Sequence, residues 1–177
     1  MSRISGETLC RAIGALLAMD GKQKAQLCDE IFRAQPHLFG SFLVQKRLGV
    51  SIEKMAFLLN LLFLCFQAMK ESGMAWPLIS EDELDRQVQR YAACVKLGDD
   101  LSKKHRAHLM KQYIEAHPEK ELFAYVHVEM ANWLKRIVPE ETDKYVMLAA
   151  ANFVNCIAFV PMNAPGTKAD IASPHAQ

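Results

Sequence analysis

SIEKMAFLLNLLFLCFQAMKESG, residues 51–73, is the stretch whose reading decides the fold. Ser51 suits an N-cap, because its hydroxyl can accept an otherwise unpaired amide hydrogen of the first helical turn. Val50 before it and Met55 inside the helix have the spacing of a hydrophobic staple. From Met55 through Phe66 the segment is apolar on nearly every face until Gly73 stops it, so the helix belongs at the centre of a bundle. Residues 55–69 fall short of the ~20-residue apolar span a bilayer requires, and the second apolar run, 145–162, is interrupted by Asn152 and Asn155. Both read as core helices of a protein that does not enter a membrane.

Working outward, helix signals recur in both directions and no sustained period-2 alternation marks a strand. Upstream, residues 7–19 place Leu9, Ile13, Leu16 and Leu17 on one face, and Asp20-Gly21 interrupts. A second helix runs to Ala34. Pro36 opens a third, whose stripe of Leu38, Phe39, Phe42 and Leu43 stops at Gly49. Downstream, GMAWPLI at 73–79 reads as a linker, and Ser80 with Glu83 forms a capping-box pattern flanked by the staple pair Ile79 and Leu84. That fifth helix ends near Gly98. A sixth covers 101–116, a seventh begins at Pro118, and an eighth begins at Pro139 with Glu140 and Glu141 opposing its dipole. The expectation is an all-α single domain, residues 1–160, of about eight helices. The Pro-rich remainder, 161–177, is expected to be disordered.

Repetition suggests two pseudo-symmetric four-helix halves, 5–73 and 80–160, produced by internal duplication. Lys22, Ala25, Leu27, Ala34 and Pro36 meet Lys104, Ala107, Leu109, Ala116 and Pro118 in one register. After a two-residue step, Leu38, Phe39 and Val44 meet Leu122, Phe123 and Val128, and Asn60 and Asn152 each follow a methionine at the same distance.

Charge is balanced at +1 over 177 residues, so no global field draws the chain to nucleic acid or an anionic surface. Five cysteines stand singly among apolar residues and read as buried free thiols; with no secretion signal visible, the expected compartment is the reducing cytoplasm.

Chemistry-bearing motifs are sparse. QKRLGVSIEKMAFLL from Gln45 looks like a helix-turn-helix, but Ser51, Ile52, Glu53, Ala56 and Phe57 are poor groups for base or phosphate contact, and Glu53, Ala56 and Phe57 are expected to be largely covered. His105 and His108 share a helix face in basic surroundings that disfavour a metal. No nucleophile motif or phosphate loop occurs, so neither an enzyme nor a cofactor is expected. Amides in apolar helices are more informative, since each needs a partner. Asn60, Asn152 and Asn155, with Gln45, Tyr125 and Trp133, are candidates to line a pocket between the halves, adaptable through the nine methionines and nine phenylalanines. Apolar residues beyond one stripe per helix, Phe39 and Phe42 with Met74 and Trp76 of the linker, are candidates for an interface with a second copy or a protein partner. The leading expectation is a non-enzymatic helical interaction or scaffolding module, and the alternative is a regulatory bundle that binds a small molecule.

Overall fold

The computed structural model describes residues 2–98 and 100–162. Its described residues form eight helices and no strand: α1 (Gly6–Ala18), α2 (Gly21–Ala34), α3 (Pro36–Arg47), α4 (Ile52–Glu71), α5 (Glu81–Leu97), α6 (Lys103–Ala116), α7 (Lys120–Leu134) and α8 (Asp143–Phe159). The all-α reading holds. Nearly all of the tail read as disordered lies outside the described residues.

Five helices start on a side-chain cap. Ser5, Ser51, Ser80 and Ser102 each accept the backbone N–H three residues on, and Asp20 forms a full capping box with Gln23. At Ser80 only half of the box forms, because the Glu83 carboxylate turns to Arg86 and Gln87. Gly49 carries φ 85, the left-handed conformation that lets the chain turn from α3 into α4.

The α7 and α8 starts lie later than the prolines suggest, at Lys120 and Asp143. Near each, a carboxylate is engaged elsewhere. Glu119 faces inward to bind the N-terminal segment, and Asp143 with Glu140 closes around Lys54 of α4. Lys54 Nζ lies 2.5 Å from Asp143 Oδ1 and 2.9 Å from Glu140 Oε2, tying the first turns of the two central helices together. Burial alone would depress this ammonium, but the two hydrogen-bonded carboxylates outweigh it and hold the pKa above the usual lysine value.

α4 and α8 pack together at the centre, with α1 laid on α4 and α5 on α8. α3 braces α4, α7 braces α8, and α2 and α6 lie outermost, against α3 and α7. α3 also touches α5, as α7 touches α1. α8 is nearly enclosed from Ala149 to Ala158, whereas α4 is enclosed only from Leu61 to Met69. Its first turns leave Ile52, Glu53, Ala56 and Asn60 exposed, so the expectation of an all-round buried α4 fails there. α4 is long and apolar enough to cross a membrane by length and composition, yet 67% of its most apolar window is buried inside the fold.

The segments entering α1 and α5 are held alike. Ile4 and Ile79 are fully buried, each directly before a serine cap, and Leu9 and Leu84 sit buried one turn in. Ile4 N donates to the Glu119 carboxylate at 2.9 Å, and Ile79 N donates to Gln35 Oε1 at 2.9 Å. Glu119 and Gln35 are the N-cap residues of α7 and α3, and neither side chain caps its own helix.

Candidate functional site

A cleft of about 210 Å³ opens where α3, α5 and α8 meet. α3 contributes Val44 and Gln45, its C-cap contributes Leu48, and α5 contributes Asp85 and Val88. The third wall is α8, through Tyr145, Leu148 and Asn152. Toward the start of α3 it runs into a second depression, of about 300 Å³, sharing Ser41, Val44, Leu84 and Asp85 and reaching His37 and Glu81. His37 Nδ1 lies 3.2 Å from Glu81 Oε1 at that end.

Gln45 and Asn152 are more than nine-tenths buried in the wall of this cleft. Gln45 Nε2 donates to Ser41 O at 3.1 Å, and Asn152 Nδ2 donates to Leu84 O at 3.2 Å. These bonds fix which end of each amide is which, because a flipped amide would set oxygen against carbonyl oxygen. Gln45 Oε1 and Asn152 Oδ1 are then buried acceptors with no partner among the described residues, an arrangement that costs about 1–3 kcal/mol per group unless something pairs with them.

Of the other residues singled out from sequence, Asn60 and Tyr125 line a different cleft, of about 300 Å³, between α1, α4 and α7. Ile13, Leu16, Phe63 and Leu64 form its apolar wall, and Lys24 of α2 stands at its side. Trp133 lies in neither cleft; it is buried and stacked on Phe57 with ring centroids 4.6 Å apart. Asn155 belongs to a buried polar cluster below α6. His117 Nδ1 accepts the Glu119 amide at 3.1 Å, so in the neutral ring Nε2 carries the proton and donates to Asn155 Oδ1 at 3.0 Å. Burial is the main reason the His117 pKa is lowered. The Glu119 carboxylate, nearly inaccessible, accepts from Ser2 Oγ, Arg3 N and Ile4 N, and Arg3 reaches on to the carbonyls of Ile157 and Val160.

The residues considered for an interface are divided. Phe42 is core, and Phe39 is partly buried against Phe42 and Phe32. Trp76 packs on the core and donates its indole N–H to Met69 O at 2.9 Å, so the segment between α4 and α5 is docked; Met74 remains exposed. Two readings are corrected. Glu53 and Ala56 are exposed and Phe57 is half-covered, though none of the three carries a positive charge for phosphate. Only Cys65 and Cys156 are buried thiols, with burial pushing Cys65 up to about 12, while Cys10 is exposed. His105 supports its own helix start through Ser102, and among the described residues no group of His, Cys, Asp and Glu is placed to hold a metal.

Sequence reading missed Glu119 and the Lys54 cluster. Their partners lie far along the chain, and no local spacing announces them. Comparison of the chain with family models, with curated proteins and with solved structures finds no match.

Proposed function

We propose that the protein is a regulatory binding module whose ligand sits in the α3, α5 and α8 cleft, and that it holds this ligand without transforming it. The observation that carries the reading is a pair of buried amides, Gln45 and Asn152, in one concave wall, whose oxygens have no partner among the described residues. A buried acceptor of fixed orientation is costly to keep unless a bound group repays it. Titrating isotope-labelled protein with small cationic, neutral and anionic probes tests this. The Gln45 and Asn152 side-chain amide signals should move first, and a panel in which no probe moves them rejects the reading.

A second reading, a protein interaction module that pairs with a second copy or a partner, is favoured by Leu43, Val44 and Leu48, which stand about half exposed along α3 beside the same cleft. Sedimentation equilibrium over a hundredfold concentration range checks it, and a constant mass of 20.0 kDa would remove self-association.

We also infer that the cleft lies between two halves related by duplication. Support comes from the helix pairing, in which α1 on α4, α3 on α4, α2 on α3 and α3 on α5 recur as α5 on α8, α7 on α8, α6 on α7 and α7 on α1. Ile4-Ser5 with Leu9 and Ile79-Ser80 with Leu84 add a matched entry to each half. Superposing α1–α4 on α5–α8 tests the inference, and a different handedness in the two sets would reject it.

A further inference from the structure

We propose that the cleft between α1, α4 and α7 is a second binding site, and that it takes a small monocarboxylate with an apolar chain, the carboxylate on Lys24 and the chain along the α1 and α4 walls. The inference stands apart from the α3, α5 and α8 cleft and does not rest on it. Three polar residues from three helices line the concavity of about 300 Å³: Lys24 of α2, Asn60 of α4 and Tyr125 of α7. Solvent reaches each of them, since Asn60 is exposed and Lys24 and Tyr125 are half-buried. None of the three side chains is bonded to another group among the described residues, and none of their polar atoms is sealed in the wall. A ligand entering this cleft therefore meets free donors.

Charge selects an anion. Lys24 is the one charged side chain in the lining, and no acid lines the cleft. Acids on the adjoining helices are engaged elsewhere: Glu7 and Glu71 pair with Arg11, Glu30 pairs with Lys70, and Asp20 caps the Gln23 amide. Glu129 stands one turn beyond Tyr125 on α7, outside the lining. The end of α1 and the start of α2 bring helix ends of opposite sign to the same place, so they offset and Lys24 sets the sign. Burial and the Glu129 charge raise the Tyr125 pKa, so the phenol keeps its proton and can donate, as can the Asn60 amide. A carboxylate, which only accepts, suits these donors and matches one lysine in charge. An amine would meet Lys24 with like charge, and a dianionic phosphate would bring a second charge that nothing in the lining balances. Leu16, Phe63 and Leu64 give a chain its apolar bed, and Leu17, 82% exposed, gains cover when the cleft fills. The volume lies at the lower end for small-molecule sites, which start at about 300 Å³, and fits a chain of medium length.

Octanoate, methyl octanoate, octylamine and octyl phosphate, which share a chain and differ in the head, form the test, read by calorimetry and by the side-chain amide signals of isotope-labelled protein. Octanoate should bind and move the Asn60 signal while those of Gln45 and Asn152 stay in place. The ester and the amine should bind about tenfold or more weakly. Lys24→Gln should weaken octanoate about tenfold and flatten its salt dependence, whereas Lys24→Arg should keep most of the affinity. Leu17→Ser should weaken it severalfold through lost apolar contact. Lys24 is half-buried and Leu17 exposed, so these variants should melt as the wild type does, which separates lost binding from lost folding. Equal binding of octanoate and its methyl ester, or octanoate binding untouched by Lys24→Gln, overturns the carboxylate assignment. Tighter binding of octyl phosphate overturns it in favour of a phosphate head. Octanoate that moves Gln45 and Asn152 but not Asn60, or no binding by any of the four, overturns the site itself; the second of these outcomes leaves the α3, α5 and α8 reading to its own probes.

Discussion

Glu119 and Gln35 do the same job at two places in the bundle with different chemistry. Each stands at the N-cap of a helix, leaves its own helix uncapped, and grips the segment that leads into α1 or α5. The difference follows from what each segment presents. Ser2, Arg3 and Ile4 offer three donors, so an acceptor-only carboxylate satisfies them all. The segment before α5 offers one donor, Ile79 N, and one acceptor, Pro77 O, because proline has no N–H. The Gln35 amide, with a donor at one end and an acceptor at the other, serves both. The lesson is that an entry segment's donor and acceptor inventory selects the residue that holds it.

The largest effect is expected at the carboxylate. Glu119→Ala strands the buried Ile4 amide and takes the carboxylate from the part-buried Arg3 amide and from the Ser2 hydroxyl, which keeps only Ile4 O, and should cost about 3 kcal/mol or more. At roughly 2–4 °C per kcal/mol for a chain of this size, calorimetry should record a fall in Tm of about 6 °C or more. Gln35→Ala should cost less, about 2 kcal/mol, because one donor and one acceptor are stranded. Equal losses would mean that the third donor, Ser2 Oγ, contributes nothing. The exchanges sharpen the point. Glu119→Gln sets an NH2 group toward backbone N–H groups, and Gln35→Glu sets an oxygen toward Pro77 O, so each should destabilise although size is nearly unchanged. A neutral exchange at either place would break the comparison.

A pH effect distinguishes the two regions further. His117, beside Glu119, has a pKa lowered chiefly by burial from the ordinary 6.5, whereas the histidine near Gln35, His37, is partly exposed beside Glu81. The unfolded chain takes up a proton that the folded chain resists, so stability is complete above about pH 6.5 and declines as pH falls through the lowered folded value. His127, also lowered by burial, adds to that slope. Melting curves at about pH 7.5 and pH 5 should differ by a few degrees in the wild type, and by less in His117→Gln, which leaves the His127 share.

The smallest effect belongs to the two clefts. Asn152 is buried with its oxygen unpaired, while Asn60 is exposed beside Lys24. Asn152→Leu exchanges an unsatisfied acceptor for an apolar group and loses the bond to Leu84 O, a carbonyl inside α5, so its net cost should stay within about 1 kcal/mol. Asn60→Leu should be neutral within about 0.5 kcal/mol, as is usual at an exposed position. Urea titration checks both, and a loss at Asn152 well above that at Asn60 would show that a bound water or ligand pairs the oxygen.

Helix existence was legible because it is local. Serine caps at residues 51 and 80, the staple pairs and the break at Gly49 depend on neighbours within one or two turns, and the structure has a helix at each. The starts at Pro118 and Pro139 were misplaced because Glu119, Glu140 and Asp143 bond to residues far along the chain, Ile4 and Lys54 among them. A carboxylate's role as dipole partner or long-range clamp is invisible to periodicity. The candidate pocket was legible in part: Gln45 and Asn152 meet in one cleft, while Asn60, Tyr125, Trp133 and Asn155 were dispersed by packing.

By itself, the amino-acid order determined that helices are the regular structure of this chain's described residues, where most of them begin, and which runs are apolar enough to lie inside. Tertiary structure alone decided which face of α4 is left to solvent, where each buried amide points, and that the segments before α1 and α5 are pinned by side chains from α7 and α3. The physical reason is range. Capping and helical periodicity act within about four residues, whereas burial and the pairing of a polar atom depend on whichever distant helix arrives beside it.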